Sequence, residues 1–90
     1  MRVALKQFAL AMEEKLKIKD DEHGEDGWLN MHTTINMLLA RLRNEVEEAQ
    51  GAYEECSPND LANECLDIAN FAMMIRDRLK YNHLIEGKKR

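Results

Sequence analysis

Between two long stretches of helical periodicity stands Ser57-Pro58-Asn59-Asp60. Serine can cap a helix, proline suits the first helical position, and aspartate favours the positive end of the helix dipole. A helix therefore starts here and is read as running from Pro58 to about Asn82. Leu61, Cys65, Ile68, Phe71, Ala72 and Ile75 make its apolar face, recurring at helical spacing. On the other side of the turn, Ile35, Leu38, Leu39, Leu42, Val46 and Ala49 give a second apolar face. That helix is read from about Asn30 to near Gly51 or Ala52, with Gly51 either ending it or tolerated within it. Two helices joined by a short capped turn fold back as an antiparallel hairpin.

The chain begins with a third helical pattern, from about Val3 to Lys19, in which Leu5, Phe8, Ala9, Met12 and Leu16 form one face. Asp20 to Gly27 is acidic, carries two glycines and no apolar residue, and reads as a loop. Trp28 follows it. An aromatic beside a loop commonly packs as a plug over the core, which is the favoured reading; the sharper alternative is a wall for a ligand base. No strand pattern and no internal boundary is visible. The expected fold is all-α, three helices in a single domain of residues 1–90. Ninety residues bury only a modest core, so self-association is a reasonable prior.

A formal charge of −4 argues against broad binding to nucleic acid, which needs a basic face. Lys88-Lys89-Arg90 is too short to supply one and reads as a solvated tail. No apolar run is long enough for a membrane span and no leader pattern is seen at the start, so a cytoplasmic protein without membrane contact is expected. Cys56 and Cys65 fit a reducing compartment, with Cys65 expected as a small core residue. Without CxxC or HxxxH spacing, structural zinc is not expected.

Two pairs of acids carry the functional signal. Glu45 and Glu48 stand three apart on the second helix, and Glu64 and Asp67 repeat the spacing on the third. Residues three apart on a helix are surface neighbours, so each pair can aim two carboxylates at one place. Glu45 and Asp67 are equidistant from position 56, as are Glu48 and Glu64, and position 56 falls in the expected turn. In a hairpin all four would converge at the border of the apolar stripe. Such anions either take up protons or hold cations. An all-oxygen cluster suits Mg²⁺, with Mn²⁺ also possible, and leaves positions open for phosphates. The plainer reading is a set of ordinary surface acids, since Glu47, Glu54 and Glu55 crowd nearby. A ferritin-like di-metal centre needs Glu-x-x-His pairs, and His23, His32 and His83 are scattered.

Glu45-x-x-Glu48, a fifteen-residue gap and Glu64-x-x-Asp67 resemble the acid signature of the MazG-like all-α nucleoside triphosphate pyrophosphatases. Asp67-Ile68-Ala69-Asn70 resembles the family's aspartate with asparagine three residues on, and the stretch from Lys15 to Trp28 looks like the N-terminal region of small MazG-like proteins. The resemblance implies a four-helix-bundle core completed between subunits in a homodimer or homotetramer. It implies Mg²⁺ held by Glu45, Glu48, Glu64 and Asp67, the catalytic residues, and cleavage of a nucleoside triphosphate between the α- and β-phosphates to a monophosphate and pyrophosphate. Asn70 would then contact sugar or phosphate, Trp28 the base, and Lys15, Lys17 or Lys19 the phosphate charge. Phosphoribosyl-ATP pyrophosphohydrolase shares fold and signature and is an alternative; the dimeric dUTPases are more distant. A non-catalytic, metal-binding helical module, with Met31, Met37, Met73 and Met74 serving an adaptable interface, is the alternative of another class.

Overall fold

A computed structural model of the chain describes the backbone of residues 1–23, 27–29 and 32–89, and the side chains of residues 1–20, 27–29 and 32–82. The fold is all-α: α1 (Val3–His23), a short 3-10 turn (Gly27–Leu29), α2 (Ile35–Glu54) and α3 (Pro58–Lys89), with no strand among the described residues. The side chains of His23, Met31, His83, Lys88, Lys89 and Arg90 lie outside the described set.

Helix ends differ from the sequence expectation for local reasons. α1 continues through Asp20 to His23, because nothing in that acidic run breaks a helix before Gly24. α2 starts at Ile35 rather than near Asn30. Thr34 is its cap, with extended backbone and a hydroxyl that accepts the Met37 amide at 3.1 Å. Gly51 is carried inside α2, and α3 continues past Asn82 to Lys89.

The turn between α2 and α3 is a Schellman close. The Ser57 amide donates to the Ala52 carbonyl at 2.9 Å and the Cys56 amide to Tyr53 at 3.1 Å. Cys56 takes the left-handed conformation, φ 56°, that this close requires. Ser57 then opens α3, its hydroxyl donating to the Asp60 carboxylate at 2.7 Å.

A heptad-like seam joins the two helices. On α2 the protected positions are Ile35, Leu38, Leu42, Glu45, Ala49 and Ala52, alternating three- and four-residue steps. On α3 they are Leu61, Glu64, Ile68, Phe71, Ile75 and Arg78. This is knobs-into-holes spacing, and it corrects the sequence reading in two ways. Leu39 and Val46, expected in the core, are 41% and 50% exposed, and Cys65 and Ala72 also face out. In exchange, Glu45 and Glu64 lie within the seam rather than at its border, each between apolar neighbours.

A second protected row on α3, Leu66, Asn70, Met73 and Asp77, faces α1 and the 3-10 turn. The Asn70 side-chain amide donates to the Met12 carbonyl at 3.3 Å. Met12 and Leu16 of α1 are half-buried, but Leu5, Phe8 and Ala9 are exposed, against expectation. The protected residues of α1 begin at Ala11; those before it are exposed. No described helix is long and apolar enough to cross a membrane.

Candidate metal centre

Glu45 and Glu64 meet across the seam, and Glu48 joins them from the exposed side of α2. One ligand oxygen from each of the three lies within 4.8 Å of the others. Seam packing encloses the first two: Glu45 Oε2 and Glu64 Oε2 are both buried without a hydrogen-bond partner. Ionised carboxylates only accept, so the pair needs a proton or a cation between them. Burial, a hydrogen bond shared with Glu64 and the charges of Glu48, Asp67 and Glu64 push the Glu45 carboxyl up to about 8. An all-oxygen donor set with two orphaned, buried oxygens fits a hard divalent cation, which would satisfy both at once.

Asp67 contributes its charge to this field, but its carboxylate is already taken. Lys15 Nζ stands 2.8 Å from Asp67 Oδ1 and also donates to the Asn63 carbonyl at 3.3 Å. The structure thus brings three of the four expected acids together and gives the fourth a lysine.

A cavity of about 350 Å³ opens beside the cluster. Leu16, Leu38, Phe71 and Met74 supply its apolar wall and Lys19, Asp20, His32, Thr33 and Arg41 its polar one. None of the four acids lines it; Arg41 is four residues before Glu45 and Phe71 seven after Glu64, so the cavity begins one helical turn, about 5.4 Å, from Glu45 along α2 and about two turns from Glu64 along α3. Trp28 closes one side. Its indole N–H donates to Asp77 Oδ2 at 2.9 Å, and Arg78 donates to the Trp28 carbonyl at 3.3 Å. Trp28 is therefore plug and cavity wall together.

The remaining expected contacts divide. Lys19 reaches the cavity. Lys17 pairs with Glu14 at 3.9 Å on the exposed side of α1 and is not brought to the site. Asn70 is 4% exposed and ties α1 to α3; it does not line the cavity. Arg41 was not singled out in the sequence, while Phe71 was expected in the core face and Met74 at an adaptable interface rather than in a cavity wall. The usable signal for Arg41 was its place one turn ahead of Glu45, on the same helix face. No family model, curated protein or solved structure matches this chain.

Proposed function

We propose that this chain is a divalent-cation-dependent nucleoside triphosphate pyrophosphohydrolase of the MazG-like kind. The observation that carries the reading is the pair of enclosed glutamates, completed by Glu48, one to two turns from a cavity with an apolar wall and a cationic side. Glu45, Glu48 and Glu64 would hold Mg²⁺. Bound there, the cation supplies charge to a phosphoryl oxygen and acidity to a water. The cavity would take the base against Trp28 and Phe71, while Arg41 and Lys19 hold phosphate charge as the chain of phosphates runs toward the acids. A carboxylate of the cluster orients the attacking water, and the anhydride bond between the α- and β-phosphates breaks to give a monophosphate and pyrophosphate.

The proposal includes self-association. Leu39, Val46 and Tyr53 of α2, together with Leu5 and Phe8 of α1, are exposed apolar side chains. A second copy laid on them would complete a four-helix core in a dimer or tetramer.

The test is Mg²⁺-dependent release of pyrophosphate from a panel of standard and modified nucleoside triphosphates, run beside Glu64→Gln. In that variant the amide still fills the seam and offers Glu45 a donor, so helicity and melting temperature should stay near wild type. Turnover should fall roughly a hundredfold or more, as loss of a metal ligand does. Equal turnover in the variant removes the acid cluster from the reaction. No release by folded wild type favours the cation-stabilised helical module instead.

A further inference from the structure

We infer that Lys15 is the resident counter-cation of the acid cluster, and that loading a divalent cation onto the fourth carboxylate displaces it and unties α1 from α3. The inference rests on the metal-site reading above, extends it from the three glutamates to Asp67, and adds its regulation.

The ammonium occupies the place a cation would take at Asp67. It sits 2.8 Å from Oδ1, with the two side chains 27% and 21% exposed. The other three carboxylates already share one small space, and Asp67 stands three residues after Glu64 on α3, the spacing of surface neighbours on a helix. A divalent ion spanning Asp67 and the glutamates would stand within a few ångströms of that ammonium, and like charges so placed in a partly dry site repel. One of the two cations has to leave. Lysine is suited to leaving, because its charge rides on a flexible four-carbon stem that finds water easily.

Departure has a mechanical consequence. Lys15 makes two of the three described side-chain polar links between α1 and α3: the ion pair to Asp67 and the hydrogen bond to Asn63. The third is Asn70 to Met12. With every residue of α1 before Ala11 exposed, freeing Lys15 leaves Met12, Leu16 and the Asn70 hydrogen bond to hold the helix against α3. Occupancy of the acid cluster is thereby coupled to the freedom of α1, which also carries Leu16 and Lys19 into the cavity.

The test uses no nucleotide. Mn²⁺ is titrated calorimetrically into the wild type, Lys15→Met and Lys6→Met. The last removes the same charge more than two turns away along α1. Lys15→Met should bind Mn²⁺ about fivefold more tightly, the size of a partly exposed ion pair, and should melt lower without metal. Lys6→Met should match wild type. In parallel, amide hydrogen exchange of wild-type α1 is followed with and without Mg²⁺, which needs no variant to fold. Residues 11–19 should exchange faster with the cation while the hairpin around 45–64 slows. Equal affinities in wild type and Lys15→Met, equal gains in both variants, or α1 amides that slow or hold steady would each overturn the displacement while leaving the metal site standing. Failure of the wild type to bind either ion overturns the site and the displacement together.

Discussion

Glu45 fills a seam position that in a plain hairpin belongs to leucine or alanine. Its carboxyl, at about 4.5 in the open chain, is pushed up to about 8 in the fold, chiefly by burial. Between those values the unfolded chain has released a proton that the folded chain keeps, so the contribution of Glu45 to the stability of the metal-free protein is present below this window and is lost as pH rises through it. Urea unfolding at pH 5, 7 and 9 should show that slope. Glu45→Gln should lack this contribution, and saturating Mg²⁺ should offset it, since the cation replaces the proton. Apparent Mg²⁺ affinity should climb by up to about tenfold per pH unit and flatten above pH 8. The convergence of Glu45, Glu48 and Glu64 was legible from their spacing alone. Their enclosure was not, because the same periodicity allowed either Glu64 or Cys65 in the seam. Nor was the claim of Lys15 on Asp67, which depends on how α1 lies across α3.

Helices were legible wherever apolar residues kept their period, and their ends were legible where a chemical stop existed. Ser57-Pro58 marked the start of α3 correctly. The acidic run after Lys19 looked like a loop by composition, yet aspartate, glutamate and histidine all continue a helix at small cost. Gly51 sits in the middle of a turn of α2, where a Cβ would meet nothing within 4 Å. Gly51→Ala should therefore stabilise the fold by about 0.5–1 kcal/mol, through lower backbone entropy in the unfolded chain. Thermal melts of the two proteins side by side decide it; a lower midpoint for the variant would mean that the added methyl meets a second copy of the chain.

At the scale of the molecule, surface and core are out of proportion. The accessible surface is 7225 Å², against about 5400 Å² for a monomeric fold of this mass. The radius of gyration is 14.9 Å, where about 12 Å is usual for this length. Among the described hydrophobic residues only Leu38, Ala49 and Ala52 are buried. A chain built so should gain stability from its own concentration: its melting midpoint should rise several degrees between micromolar and high-micromolar protein, and sedimentation should show mass above one chain over the same range. A constant midpoint with a monomer's mass would count against self-association. The all-α hairpin was legible in the sequence; the cavity was not, because Trp28 is held against it by Asp77 and Arg78, some fifty residues on in the chain.

The hairpin seam also fixes how this chain can change by insertion or deletion. The acids and the cavity draw on the same two helices, one to two turns apart, and both stay aligned only while α2 and α3 keep phase on either side of Cys56. One residue added between Glu48 and the turn would rotate everything before it by about 100°. Glu45 and Glu48 would swing away from Glu64 in the same step that carried Leu38 and Arg41 away from Phe71 and Met74. Residues 49–63 thus act as a spacer of set length, and the two sites are lost or kept as one.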